Sequence, residues 1–127
     1  MPKFLSLEAV IAIHHDQIST FGGAHGLRDQ KLLESAFGQA QQTYAYTKNI
    51  YEAAAQYCFS LAKNHPFVDG NKRTAADSML TFLVLNRIAP TLTVEQLFEW
   101  TLRVAIGKLD RPGLATLLRE YSRRVKQ

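Results

Sequence analysis

The sequence predicts an all-α fold, a single compact domain of six helices over residues 1–127, with a central buried helix preceded by the loop that carries the chemistry. Three observations predict it. Apolar residues recur at spacings of three and four in six separate stretches, with no sustained alternation of the strand type. Capping and breaking residues bound these stretches, among them Ser6, Gly22-Gly23, Asp29, Pro66, Pro90, Gly107 and Asp110. The length of 127 residues, 46% hydrophobic and 20% charged, suits one soluble globular unit without repeat or linker.

The first helix starts at Ser6, an N-cap followed by Glu8 in the first turn, and presents Leu7, Val10, Ile11, His14 and Ile18 on one face. Gly22-Gly23 ends it. His14 lacks an acidic or cysteine partner at ligand spacing, so it reads as a core or boundary histidine, not a metal ligand. After a loop around Gly26, Asp29 caps a second helix with Leu32, Leu33, Ala36, Phe37 and Ala40 as its buried face. Thr43 to Asn49, with Tyr44 and Tyr46, shows no helical stripe. Two readings stand for it: a short extended segment whose edge could pair with a substrate peptide, or an ordinary connection.

The third helix covers residues 50–64, through Ala54, Tyr57, Cys58 and Leu61, and Pro66 stops it. Cys58 reads as a small buried hydrophobe; a lone cysteine excludes an internal disulfide and suits a reducing cytosol. The fourth helix runs from near Gly70 to about Arg87. Met79, Leu80, Phe82, Leu83 and Leu85 make it apolar on more than one face, as expected of the most enclosed helix. Thr93 and Gln96 form a capping box for the fifth, with Val94, Leu97, Phe98, Thr101 and Ala105 as its face and Trp100 in the core or at its rim. Asp110 caps the sixth, with Pro112 in its first turn and Leu114, Leu117, Leu118, Tyr121 and Val125 as its face.

The net charge is +4, and part of the excess lies at Arg119, Arg123, Arg124 and Lys126. Cations there suit the negative end of a last helix. Basic and aromatic residues are not interleaved as in a stacking platform, so direct nucleic-acid binding is not expected. No apolar run approaches the ~20 residues of a membrane span. The N-terminal Met1-Pro2-Lys3-Phe4-Leu5 does not open a signal peptide. A cytoplasmic protein without a membrane partner is expected.

The chemistry-bearing stretch is His65-Pro66-Phe67-Val68-Asp69-Gly70-Asn71-Lys72-Arg73. His65 is of the residue type that most often takes a proton from a hydroxyl. Pro66 and Phe67 read as structural, one stopping a helix and the other plugging the loop into the core. Asp69 is a hard oxygen ligand suited to Mg²⁺, which binds through one or two carboxylates and substrate phosphates. Gly70 lets backbone approach a ligand, and the N–H groups around Asn71 to Arg73 open a helix, where phosphate oxygens are favoured. Lys72 and Arg73 add positive charge. Asp77, one turn beyond Arg73, is expected to pair with it, or else to assist the metal. Base, metal ligand and phosphate cradle together point to transfer from a nucleotide phosphate to a hydroxyl. The P-loop and the signatures of ordinary protein kinases are missing.

This stretch resembles the motif of the Fic/Doc family. The resemblance extends to Phe21-Gly22-Gly23-Ala24-His25-Gly26-Leu27-Arg28-Asp29 and Leu32-Leu33-Glu34-Ser35-Ala36, and covers nearly the whole chain. It implies a helix–loop–helix that binds ATP with Mg²⁺ and modifies hydroxyls of target proteins. Lys72 stands where Fic adenylyltransferases carry a second glycine, and Ala76 where they carry a second arginine. Both departures match the Doc branch, which turns the nucleotide round and transfers the γ-phosphate. That branch implies a toxin that phosphorylates a threonine of elongation factor Tu and stops translation, held in check by a Phd-type antitoxin. Under it His65 is the base, Asp69 holds Mg²⁺, and Gly70, Asn71, Lys72, Arg73 and Asp77 surround the phosphates. Gly70 and Asp77 depart from the Doc pattern, which has alanine and asparagine there. Two alternatives stand beside this one: Fic-type transfer of AMP, and a non-catalytic co-regulator acting with an antitoxin.

Overall fold

The computed structural model describes residues 1–126. Six α-helices follow one another: α1 (Leu7–Phe21), α2 (Gln30–Thr47), α3 (Ile50–Asn64), α4 (Asn71–Leu85), α5 (Val94–Ala105) and α6 (Arg111–Glu120). Two three-residue strands, β1 (Ile88–Pro90) and β2 (Ser122–Arg124), complete the order. The fold is all-α, as its apolar spacing predicts, and the expected caps form. Ser6, Asp29, Thr93 and Asp110 each accept a backbone N–H of their helix's first turn, and Thr93 and Gln96 close a capping box.

The centre is shared by α3 and α4. The small side chains Ala53, Ala54, Ala55, Ala62, Ala75 and Ala76, all buried, suit close backbone approach, while Tyr57, Leu61, Met79, Phe82 and Leu83 fill the remaining volume. Around them pack α2 and α6 against α3, α1 against α4, and α5 against both. The Tyr57 hydroxyl accepts the Leu5 N–H at 3.1 Å, and burial pushes its pKa up to about 12. Burial likewise pushes the Cys58 thiol up to about 12, so it behaves as the inert core residue its position suggests. Asn86, at the end of α4, exchanges two hydrogen bonds with the Lys3 backbone and ties the N-terminus down.

Four local expectations are corrected. Thr43 to Thr47 is neither extended nor loop: α2 continues through it, with Thr43 buried and its hydroxyl donating to Gln56 at 3.1 Å. The helix is carried there by a tertiary hydrogen bond rather than an apolar stripe. α5 is rotated from the expected face. It buries Trp100, Thr101 and Val104 and leaves Val94, Phe98, Leu102 and Ile106 exposed, because seating the largest aromatic removes the most surface from water. The sixth helix stops before Tyr121. The tail instead forms β2, paired antiparallel with β1 in the register Ile88 to Arg124, Ala89 to Arg123 and Pro90 to Ser122. Val125 is consequently exposed. Fourth, Asp77 does not pair with Arg73; among the described residues the one ion pair is Arg111 with Glu52 at 3.0 Å. Among the described residues, no helix is long and apolar enough to cross a membrane.

Candidate active site

The loop from His65 to Gly70 joins the end of α3 to the start of α4, and three sets of contacts hold it. The first comes from within. Asn71 is buried, and its side-chain amide accepts the Phe67 N–H and donates to the Phe67 carbonyl, both at 3.0 Å. This closes the loop like a clasp and satisfies both polar groups of a buried residue.

The second set comes from α1. The His14 ring lies flat on Phe67, centroids 3.8 Å apart and planes within 6°, and its Nε2 donates to the Asp69 carbonyl at 2.8 Å. That bond fixes the neutral tautomer with the proton on Nε2. Burial pushes the ring's pKa below its ordinary value. The Arg73 guanidinium reaches the other end of α1, donating to the Gly22 carbonyl at 2.9 Å and lying over the Phe21 ring.

The third set comes from the exposed connection between α1 and α2. Leu27 forms an antiparallel bridge with Phe67, and the Val68 N–H donates to the Gly26 carbonyl at 3.0 Å. The Arg28 and Asp29 N–H groups both donate to the Pro66 carbonyl, at 2.7 and 2.9 Å. The Arg28 side chain donates to the carbonyls of Asn64 and His65.

On this frame the predicted residues take clear positions. His65 closes α3 in the left-handed region, φ 51° and ψ 57°, and its exposed side chain has no partner among the described residues. Pro66 and Phe67 are buried, as their structural roles require. Asp69 is exposed. Its Oδ1 accepts the Gly70 N–H at 2.8 Å and its Oδ2 the Ala24 N–H at 3.3 Å, and those two donors hold its carboxyl below the usual range, with Arg73 a smaller contributor. Gly70 has φ 73°, which strains any other residue, and a Cβ there would meet the flexible end of Ile18, Cδ1, at 2.9 Å. Alanine at this position needs a different seating of Ile18.

No side chain caps α4. Its first backbone bond runs from the Thr74 N–H to the Gly70 carbonyl, leaving the N–H groups of Asn71, Lys72 and Arg73 without an acceptor among the described residues. Lys72 is exposed beside them. Asp77 accepts from Gln17 Nε2 at 3.1 Å and from the Thr81 hydroxyl. It lines a cavity of about 180 Å³ with Phe21, Arg73, Ala76, Leu97 and Phe98, directly beside the helix start.

The site thus brings together an unengaged imidazole, an ionised carboxylate, three open N–H groups and two cations. The fit to a nucleotide phosphate follows from the uncapped helix end and its open N–H groups. The fit to Mg²⁺ follows from the exposed Asp69 carboxylate. No cluster of three His, Cys, Asp or Glu occurs among the described residues. A larger cavity of about 480 Å³, between α2 and the start of α6, includes none of these residues.

Sequence reasoning missed His14 and Arg28 as builders of the site. Their roles depend on contacts across 55 and 37 residues, which no local pattern shows. The available signal was weak: one histidine on an apolar face, and one arginine in a glycine-containing connection. The reading of residues 43–49 as an extended edge beside the loop does not hold, since α2 runs through Thr47. The exposed backbone along the loop is residues 22–28, not 43–49.

Known proteins resemble the chain over most of its length. The chain is 34% identical over 119 residues to the protein kinase doc of Escherichia phage P1, covering 92% of this chain and 94% of that one. It is 35% identical over 108 residues to the toxin Doc of Mycolicibacterium smegmatis, covering 80% and 82%. The family model described as the Fic/DOC family matches residues 4–83, the span that holds α1 through most of α4 and every residue of the loop. With the motif, its helix–loop–helix mount and two relatives aligned over most of their length, the chain belongs to the Fic/DOC family.

Proposed function

We propose that the chain is a Doc-like toxin that transfers the γ-phosphate of ATP to a threonine hydroxyl of a target protein in the cytoplasm. Elongation factor Tu is the target the resemblance implies. The observation that carries the reading is the pairing of an exposed, unengaged His65 with the uncapped N-terminus of α4. His65 would accept the hydroxyl proton as the threonine oxygen bonds to the γ-phosphorus and the bond to the β,γ-bridging oxygen breaks, releasing ADP. The N–H groups of Asn71 to Arg73, with Lys72 and Arg73, would stabilise the phosphate oxygens. Asp69 would hold Mg²⁺, which supplies charge neutralisation at the phosphates when bound. The exposed backbone of residues 22–28 would present the target's hydroxyl, since it lies along the loop.

Transfer of phosphate rather than AMP is favoured by Lys72 and Ala76 and by the kinase named among the relatives. Lys72 adds bulk and charge at the helix start, and Ala76 leaves no second arginine in the cavity beside Arg73. A Phd-type antitoxin is the matching partner. The exposed Phe21 and Phe98 give a partner apolar surface at this cavity.

The test is incubation with a bacterial lysate and ATP labelled at either the α or the γ position. Label from γ alone is expected; label from α alone would replace the kinase reading with adenylylation. His65→Asn removes the base while tolerating the left-handed backbone, and should lower transfer by roughly 10²–10⁴-fold with the melting temperature unchanged. Undiminished growth arrest by this variant would instead support a non-catalytic co-regulator.

A further inference from the structure

His65 occupies a conformation that needs explanation. A non-glycine residue at φ 51° is uncommon, and a residue before proline is ordinarily pushed towards extended geometry. Such a conformation persists only where the surroundings over-determine it. Here the hydrogen bonds on the carbonyls around His65 come from one place. Three consecutive carbonyls, of Asn64, His65 and Pro66, face the same stretch of the α1–α2 connection. The Arg28 side chain donates Nη2 to Asn64 at 3.0 Å and Nε to His65 at 2.7 Å. The Arg28 N–H donates to Pro66 at 2.7 Å, and the Asp29 N–H joins it at 2.9 Å.

The Asn64 and His65 carbonyls are among those that the end of a helix leaves without a partner. A guanidinium spans two of them at once because its donors are fixed in a planar fork; an ammonium is a point charge on a flexible stem. The side chain touches the backbone of the candidate base and not its ring, so it leaves the imidazole free while setting its direction.

We propose that Arg28 is the positioning residue of this site, aiming the His65 imidazole by clamping the backbone carbonyls on either side of its Cα–N bond. The proposal rests on reading His65 as the base. It assigns Arg28 no contact with nucleotide or phosphate, although it is a cation near a phosphate-binding loop. Loss of the clamp therefore lowers the rate of the proton-accepting step and leaves nucleotide binding intact.

The experiment compares the full chain with Arg28→Ala and Arg28→Lys, counting transfer from both α- and γ-labelled ATP. For Arg28→Ala the expected result is a fall in kcat of about 10²-fold, as for a misplaced catalytic group, with KM for ATP within about twofold. Arg28 is exposed, so millimolar methylguanidinium can reach the vacated site and should restore part of the lost kcat. Arg28→Lys is expected to fold and to lose kcat to a smaller extent, which keeps the proposal open to test if the alanine variant does not fold. Wild-type kcat in either folded variant overturns it. A rise in KM for ATP with kcat retained overturns it too, by making Arg28 a phosphate contact. A fall in kcat that only tracks a lower melting temperature, without methylguanidinium rescue, assigns Arg28 a structural role and also overturns it.

If the wild-type chain transfers neither label, the proposed function fails, and the clamp is read by NMR instead. The His65 ring C–H signal, assigned by its loss in His65→Asn, should shift or broaden in the folded Arg28 variant while those of His15 and His25 stay in place. An unchanged His65 signal overturns the proposal.

Discussion

Burial pushes the His14 imidazole below its ordinary value of 6.5, against a smaller raising effect from its hydrogen bond to the Asp69 carbonyl. The folded-state value therefore lies below the unfolded one. Its contribution to stability is complete above about pH 6.5 and is lost as the pH falls through the folded-state value. The group most affected is the loop, since the charged ring would lose its place on Phe67. His14→Gln retains an amide donor for Asp69 and does not titrate. It should flatten the fall in melting temperature between about pH 6.5 and pH 5, measured by thermal unfolding across that range. An unaltered slope would place the acid sensitivity elsewhere. At this scale the motif was legible in sequence because its residues lie within nine positions of one another. The seating of the motif on His14 and Arg28 was not, because it is made by non-local contacts.

At the scale of elements, α4 shows two kinds of buried polar side chain. Asn71 is fully engaged by the Phe67 backbone, whereas the Thr74 and Ser78 hydroxyls are buried without a partner among the described residues. Removing an engaged group strands its partners, while removing an unengaged one strands nothing. Asn71→Ala should therefore cost about 1–3 kcal/mol, and Ser78→Ala should be neutral or stabilising by up to about 1 kcal/mol, both read from denaturant midpoints. Equal destabilisation by the two would contradict this. Helix existence was legible wherever apolar spacing and caps agreed, as in α1, α3 and α6. It was not legible at Thr43 to Thr47, where the helix depends on Gln56 across the interface. α5 has apolar residues around most of its circumference, so spacing alone left its rotation open until Trp100 was seated. Strands of three residues are too short to leave an alternating pattern.

For the whole molecule, the fold class was legible because six amphipathic segments with short connections leave few other solutions. The candidate site and much of the core nonetheless draw on different parts of the chain. His14 to Asp77 supply the site, whereas Trp100, Val104, Leu114 and Leu118 complete the core behind α3. Leu118 is fully buried on α6, away from the loop in sequence. Leu118→Ala should lower stability by about 2–5 kcal/mol, measured by denaturant unfolding, while transfer per folded molecule stays at the wild-type level. A fall in transfer with the folded fraction held constant would show that α6 shapes the site directly.

The packing of α6 against α3 also bears on the order in which the protein is made. A ribosome releases the loop and both helices that flank it before it releases the segment that covers α3. Until residues 111–120 emerge, the buried face of α3 lacks one of its neighbours, the helix whose Arg111 pairs with Glu52 near the start of α3. The residues of the site are synthesised early, but the helix that ends at His65 gains its last neighbour only when α6 docks.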